Sequence, residues 1–192
     1  MKLLLSFILI IATLPSVAQV NISIKWLQHT PPASSDTVYY NANRKLTWPD
    51  FKGKPVLQSD ATAITSSGFG YLATMQSRDG KTDIAITVYC YFGKQSSWVR
   101  VGGQSDYALT HEQHHFDVTY IVTNLFIKKL KAAKFTRNNY GNLTEKIYNE
   151  SCRELEKMQN DYDGKTRNGR LKNVQVEWNT KIEKQLNLLP TQ

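Results

Sequence analysis

The chain has 192 residues, of which 24 are Lys or Arg and 16 are Asp or Glu, so its formal net charge is +8. A chain of this length is expected to fold as one domain, and no apolar run after the first residues is long enough to cross a membrane as a helix. No nucleic-acid-binding motif accompanies the positive charge. A local cluster indicates either a solvated helix end, where the helix dipole favours cations, or attraction to an anionic envelope polymer or lipid. This cluster consists of Lys128, Lys129, Lys131 and Lys134.

The first residues have the pattern of a signal peptide. One basic residue precedes the apolar run Leu3–Leu14, and small residues follow at positions 16–18, where a signal peptidase cleaves. We therefore predict a signal peptide over residues 1–18, export to the periplasm or the exterior, and a single mature domain over residues 19–192. In an oxidising compartment Cys90 and Cys152 either form one disulfide or remain buried thiols, and the sequence leaves both open.

The N-terminal half is predicted to be rich in β-structure, because apolar and polar residues alternate in several short runs. The predicted strands are Asn21–Leu27, Val38–Tyr40, Ala61–Ala73, Thr82–Phe92 and Ser97–Val101. Asp79 and Gly80 join the two longest strands as a hairpin turn. The proline-containing stretch Leu46–Pro55 is expected to be an ordered turn held by Trp48 and Phe51.

The first predicted helix follows the strands. Ser105 or Asp106 is expected to cap it, and its periodic pattern continues to about Lys134. The residues expected on its buried face are His111, His115, Val118, Ile121, Val122 and Leu125.

Two further helices are predicted in the C-terminal part. Asn142 with Glu145 three residues later is typical of a capping box, so the second helix is expected to begin there. Gly164 and Gly169 are expected to frame a loop, and the third helix is predicted over about Leu171–Leu186. Strands followed by helices indicate an α+β fold.

The first helix carries His111-Glu112-Gln113-His114-His115, an H-E-x-x-H sequence. Residues four apart on a helix lie on the same face, so His111 and His115 can offer two imidazole nitrogens to one metal ion. Glu112 lies beside them, in reach of a zinc-activated water on which it would act as general base. By chance, this pattern would occur in on the order of one in a hundred chains of this size. We therefore interpret the histidines as zinc ligands rather than as core residues, and His114 as a neighbour.

The third metal ligand is not fixed by the spacing. The H-E-x-x-H-x-x-G-x-x-H pattern is absent, because positions 118 and 121 are Val and Ile. A ligand from a later element is expected, and the candidates are Glu150, Glu154 and Asp163. Asp163 has a carboxylate near a helix end, where the dipole disfavours it, which indicates a role other than helix stability. The strand over residues 84–92 is expected to line the substrate by β-augmentation.

Three stretches together resemble a known family. Leu46–Pro55 is similar to its N-terminal motif, His111–Asp117 to its H-E-Q-x-H-F-D core, and Tyr162–Thr166 with Trp178 to its closing Y-D-x-x-T and tryptophan. The family is bacterial and exported, and is labelled "predicted secreted Zn-dependent protease", or domain of unknown function 922. The resemblance covers roughly residues 38–187 and implies a zincin-like domain with zinc as its cofactor.

The chain departs from the family at one position. Members usually have a histidine two residues after the threonine of the closing motif, and this chain has Asn168 there. The resemblance therefore implies that Asp163 serves as the third ligand, that metal binds weakly, or that the protein is inactive.

Two functions follow from these observations. The first hypothesis is a secreted or periplasmic zinc metallopeptidase, with His111, His115 and Asp163 as ligands and Glu112 as the base. Its substrate would be a peptide or protein, with the peptide cross-links of peptidoglycan among the candidates. The second hypothesis is a non-catalytic cell-envelope binding protein that keeps the same scaffold, which Asn168 favours.

Overall fold

A four-stranded sheet, a two-stranded sheet and three helices form the fold, which is α+β with a β-rich N-terminal half, as the sequence predicts. The computed structural model describes residues 19–27 and 35–190, so the predicted signal peptide lies outside the described residues. The strands are β1 (Gln19–Trp26), β2 (Thr37–Tyr39), β3 (Ala63–Ile64), β4 (Ser67–Arg78), β5 (Lys81–Gly93) and β6 (Trp98–Val99). The helices are α1 (Asp106–Ala132), α2 (Tyr140–Thr166) and α3 (Lys172–Asn187). Within the described residues, no helix is both long and apolar enough to cross a membrane.

β5 is the central strand of the larger sheet. It pairs in parallel with β1 and antiparallel with β4 and β2, so both of its edges are hydrogen-bonded within the protein. The expectation that residues 84–92 bind a substrate by β-augmentation is therefore wrong, because that interaction needs a free edge. The predicted hairpin between β4 and β5 is confirmed. Asp79 and Gly80 have φ angles of 50° and 74°, the left-handed conformation of a tight hairpin turn.

The main core lies between the sheet and α1. Ile84, Ile86 and Val88 alternate along β5 and are almost fully buried. They pack with Val122 and Phe126 of α1. Burial of a side chain of this size stabilises the fold by roughly 1.5–3 kcal/mol. The opposite side of α1 is covered by α2 and α3, so α1 is held rigidly on both sides.

The start of α1 agrees with its predicted cap. Ser105 Oγ accepts a hydrogen bond from the backbone N–H of Ala108 at 3.1 Å. The predicted buried face is wrong at Leu125, whose exposed fraction is 37%. Apolar side chains of α2 and α3 instead cover α1 at Val118 and Ile121, which lie two turns and one turn before Leu125.

α2 is longer than predicted at both ends. Asn142 lies inside the helix, which begins two residues earlier. In the turn before the helix, the side chain of Thr136 accepts the backbone N–H of Asn139, and the side chain of Asn139 accepts the backbone N–H of Thr136. The prediction that Gly164 frames a loop is also wrong, because the helix continues through it. α2 ends where residues 167–169 adopt φ angles of 51°, 53° and 75°.

Candidate metal centre

Three side chains from two helices converge on one point. α1 presents His111 and His115 one turn apart on the same face, and α2 presents Asp163 in its last turn. The Nε2 atoms of the two histidines are 3.3 Å apart. Oδ1 of Asp163 lies 3.1 Å from one of them and 3.0 Å from the other. Among the described residues, these three form the only group of His, Cys, Asp or Glu side chains close enough to hold one metal ion.

The spacing of these three atoms fits a tetrahedral metal ion. Ligand atoms bound to zinc at about 2.0–2.1 Å in a tetrahedron stand about 3.3–3.4 Å apart. The separations of 3.0, 3.1 and 3.3 Å are close to that edge length. Two imidazole nitrogens and one carboxylate oxygen also match the donor types of catalytic zinc sites, in which three protein ligands leave a fourth position for water or substrate.

Two glutamines contact the Nδ1 atoms of the histidine rings, whereas the Nε2 atoms face Asp163. Gln175 Oε1 lies 2.8 Å from Nδ1 of His111, and Gln159 Oε1 accepts a hydrogen bond from Nδ1 of His115. The Gln159 amide donates to the backbone oxygen of His115 at 2.9 Å, and the Gln175 amide donates to Tyr162 Oη. With a metal ion bound, each amide oxygen would accept the Nδ1 proton, which leaves the Nε2 lone pair for the metal ion.

An aromatic ring and a glycine enclose His111. The ring of Tyr162 stacks on the imidazole with centroids 4.7 Å apart and an interplanar angle of 25°. On another side, a Cβ at Gly169 would lie 3.3 Å from the ring, and the φ angle there is 75°. A side chain at this position would crowd the His111 ring, and the backbone conformation there would be strained for any residue other than glycine. The α2–α3 loop is therefore packed directly against the candidate centre.

The charges of the three groups depend on one another. Burial by itself would raise the pKa of Asp163, but the hydrogen bonds from His111 and His115 outweigh it and hold the pKa well below its usual range. Burial would lower the pKa of His115, but the hydrogen bond and charge of Asp163 raise it above the ordinary value, with a smaller contribution from Glu112. Asp163 thus favours the protonated form of His115 in the metal-free protein, and a bound cation would take the place of that proton.

Glu112 lies in the wall of the same cavity, whose volume is about 710 Å³. Its exposed fraction is 5%, and its Oε2 atom has no hydrogen-bond partner among the described residues. The backbone position is fixed, because the carbonyl oxygen accepts a hydrogen bond from Thr65 Oγ1 at 3.1 Å. A buried carboxylate oxygen without a partner is costly in free energy, so this atom is suited to meet a ligand or a proton within the cavity.

The rest of the cavity wall comes from four segments. These are residues 61–67 around β3, residues 102–108 at the start of α1, part of α2, and the α2–α3 loop. β3 pairs with β6, at Ala63 with Val99 and at Ile64 with Trp98. The strand that lines the cavity is thus β3, a two-residue strand, and not the central strand that the sequence suggested.

The other residues considered from the sequence lie outside the donor group. Of the three candidate third ligands only Asp163 is near the histidines, and Glu150 and Glu154 do not belong to the group. His114 is buried, and its Nδ1 lies 3.1 Å from Asp117 Oδ2. Asn168 lines the cavity but offers no imidazole.

Gln159 and Gln175 are the site residues that sequence reasoning missed. Gln159 lies four residues before Asp163 and so on the same face of α2, a spacing that could have identified it. Gln175 has no comparable local signal, because it comes from a different helix and meets the site only in the folded protein.

A buried polar cluster anchors α1, the helix that carries the H-E-x-x-H sequence, from the other side. Asp117 Oδ1 accepts hydrogen bonds from Tyr40 Oη and Gln113 Nε2, both at 2.8 Å. Gln113 Oε1 accepts the backbone N–H of Leu46 at 2.7 Å. The N-terminal ordered turn, which includes a short 3-10 helix at Trp48–Asp50, is thereby tied to α1 directly behind the candidate ligands.

The two cysteines are free. Of the two possibilities that the sequence left open, the structure therefore has thiols and not a disulfide. Cys90 is buried in β5, and its burial raises the pKa of the thiol. Cys152 is half-buried and lines the cavity.

Comparison with known proteins assigns no family. No family model, no curated protein and no solved structure matches the chain.

Proposed function

We propose that the protein is a zinc-dependent peptidase that acts in the periplasm or outside the cell. One observation carries the proposal. The Nε2 atoms of His111 and His115 and Oδ1 of Asp163 lie within 3.3 Å of one another, next to a buried Glu112 carboxylate with an unpartnered oxygen, in a cavity large enough for a peptide. The resemblance to an exported family with a zinc-protease label supports the same proposal.

His111, His115 and Asp163 would hold the metal ion. Two imidazole nitrogens with a carboxylate are the donor types of zinc peptidases, and a glutamate directly after the first histidine is the arrangement of the zinc H-E-x-x-H motif. When bound, zinc supplies Lewis acidity, which lowers the pKa of water to about 7 and polarises a carbonyl group. Gln159 and Gln175 keep both rings oriented for this role.

Glu112 would act as the general base and then as the general acid. Its unpartnered Oε2 accepts the proton of the attacking water and later delivers that proton to the amine that leaves. Burial keeps other hydrogen-bond donors away from this oxygen, so it is available for the reaction. Glutamine at this position would have nearly the same shape but no basic oxygen.

The direct test uses protein purified without chelator. We expect about one zinc per chain and hydrolysis of an unstructured protein by the wild type. Glu112→Gln should keep the zinc and lose hydrolysis by about 100-fold or more, in line with the usual contribution of a general base. Glu154→Gln, an equivalent change at an exposed position of α2, is the matched control and should retain activity.

Two results would contradict the proposal. Equal hydrolysis by wild type and Glu112→Gln would remove the assigned base. Zinc content that is unaffected by replacing both histidines with alanine would remove the assigned centre.

A specific observation favours a second function, a non-catalytic cell-envelope binding protein. Asn168 lines the cavity at the position where the resembled family has a histidine. Sub-stoichiometric zinc, together with retained binding to cell-wall polymer, would support this alternative over the peptidase.

A further inference from the structure

We propose that the cavity contains a subsite for a carboxylate of the substrate, formed by Arg170 and Lys172 beside the candidate metal centre. This inference rests on the proposed peptidase function and specifies which substrates that function selects. It predicts a preference for peptides with an acidic group close to the cleaved bond.

The first observation is the charge of the α2–α3 loop and of the helix ends that flank it. Residues 164–173 contain four cations and no acidic residue. Arg170 and Lys172 line the cavity together with His111 and Asp163. The remaining two, Lys165 and Arg167, are exposed and are not part of the cavity wall.

The second observation is that the two cavity cations have no counter-ion in the described part of the chain. Arg170 donates one hydrogen bond, to the backbone oxygen of Asp60 at 3.2 Å, which leaves most of its five N–H donors available. The ammonium group of Lys172 lies 5.8 Å from the centroid of the Tyr107 ring. Neither side chain takes part in an ion pair with a carboxylate.

The third observation is how this loop is held against the metal centre. Tyr107 precedes His111 by one helical turn on the same face of α1. Its hydroxyl donates to the backbone oxygen of Gly169, and Gly169 packs against the His111 ring. The loop is therefore held beside the candidate centre, and Arg170 directly follows the residue that packs against His111.

The shared cavity limits how far the carboxylate can lie from the cleaved bond. An extended chain advances about 3.3–3.6 Å per residue. A carboxylate held by Arg170 and Lys172 in the same cavity as the candidate centre would thus belong to a residue within a few positions of the cleaved bond. Both an acidic side chain and a free C-terminal carboxylate satisfy this condition, and both present the same two oxygens to Arg170 and Lys172.

The opposite end of the cavity carries the opposite charge. Glu156 lines the cavity and lies two turns before Asp163 on the same face of α2. α1 and α2 are antiparallel here, because His111 contacts Asp163 while His115 contacts Gln159. Lys172 and Glu156 are therefore at opposite ends of the candidate centre. This arrangement attracts a carboxylate at the loop end and repels it at the other, so the acidic group should always lie on the same side of the cleaved bond.

The test compares pairs of fluorogenic peptides that differ only by Glu or Gln near the cleavage site. For zinc-loaded wild type we expect kcat/KM to be about five- to tenfold higher for the Glu peptide, the range that one or two partly exposed charge pairs supply. The preference should shrink as salt rises, since partly exposed charges are screened. Product masses should place the acid on one side of the cleaved bond. A second pair, with a free or an amidated C-terminus, distinguishes the two sources of carboxylate.

Variants identify the residues responsible. Lys172→Gln breaks no hydrogen bond among the described residues and should remove at least half of the preference, while Arg170→Gln should reduce it further. Lys165→Gln makes the same change of charge in the last turn of α2, away from the cavity, and should keep the full preference. Equal loss of preference in Lys165→Gln and Lys172→Gln would show that the preference comes from the overall charge of the protein, and would overturn the subsite.

A binding measurement separates this inference from the proposed function. Zinc-loaded Glu112→Gln should bind the labelled Glu peptide about five- to tenfold more tightly than the Gln peptide in fluorescence anisotropy. Hydrolysis of both peptides at equal rates with equal binding would overturn the subsite and leave the peptidase standing. Selective binding that Lys172→Gln abolishes, without hydrolysis by wild type, would overturn the peptidase and leave the subsite standing.

Discussion

Replacing Gln175 with leucine removes the acceptor behind His111 without touching any of the three candidate ligand atoms. Gln175 is buried, with an exposed fraction of 1%, and its Oε1 lies 2.8 Å from Nδ1 of His111. Leucine has a similar volume but cannot accept a hydrogen bond. The Nδ1 proton would then have no partner, and no water could reach it easily.

The cost of this change should fall on metal binding. Without zinc, His111 can move its proton to Nε2 and donate to Asp163 Oδ1, which is 3.1 Å away. With zinc bound, Nε2 must stay unprotonated, so the proton must remain on Nδ1 as a buried donor without a partner. Such a donor costs about 1–3 kcal/mol, and each 1.4 kcal/mol is about a tenfold change in affinity. We therefore expect zinc to bind roughly 10- to 100-fold more weakly, as for other residues that orient metal ligands.

The assay is competition for zinc against a chelator of known affinity, with the free energy of unfolding of the chelated protein measured separately. Gln185→Leu is the matched control, because this glutamine is on the same helix and its buried Oε1 has no partner. It should leave zinc affinity unchanged and stability unchanged or slightly higher. If Gln175→Leu binds zinc as tightly as the wild type, the reasoning about the His111 proton is refuted.

Three further predictions concern charge, thiols and the N-terminal anchor. In the metal-free protein the lowered pKa of Asp163 adds stability that is lost as pH falls below about 4, and the raised pKa of His115 adds stability that is lost as pH rises above about 6.5. The free energy of urea unfolding of the chelated protein, measured between pH 3 and pH 8, should therefore be highest between those values. A pH dependence of this free energy that Asp163→Asn leaves unchanged would contradict this. Thiol titration should find Cys152 reactive in the native state and Cys90 reactive only after denaturation, whereas a mass two daltons lower before reduction would reveal a disulfide. Tyr40→Phe removes a hydrogen bond to a buried carboxylate of α1 and should lower the free energy of unfolding by about 1–3 kcal/mol, and a change under 0.5 kcal/mol in denaturant unfolding would argue against that anchor.

The elements that the sequence predicted best depend on local interactions. The cap at Ser105, the hairpin at Asp79 and Gly80, and the alternation along β5 each involve residues within a few positions of one another. The pairing of His111 with His115 is equally local, because helical geometry alone brings residues four apart to one face. These features therefore needed no knowledge of the rest of the chain.

The errors occurred where two distant segments decide the outcome. Leu125 belongs to a regular apolar stripe, but its exposure depends on where α3 passes. The strand expected to bind substrate is the central strand, because β1, β2 and β4 all pair with it. Its hydrophobic alternation is the same whether it is central or at an edge, so the pattern contains no information about which edge is free.

The sequence by itself determined two of the three candidate ligands and the proposed base, since His111, Glu112 and His115 share one helix whose start is encoded locally. Only the tertiary structure decided that Asp163, and neither Glu150 nor Glu154, completes the donor group. The physical reason is that the rotation of α2 about its own axis is set by packing against α1, and that rotation selects which carboxylate meets the histidines. The orienting glutamines and the cationic loop follow from the same packing, which brings together residues more than 40 positions apart in the chain.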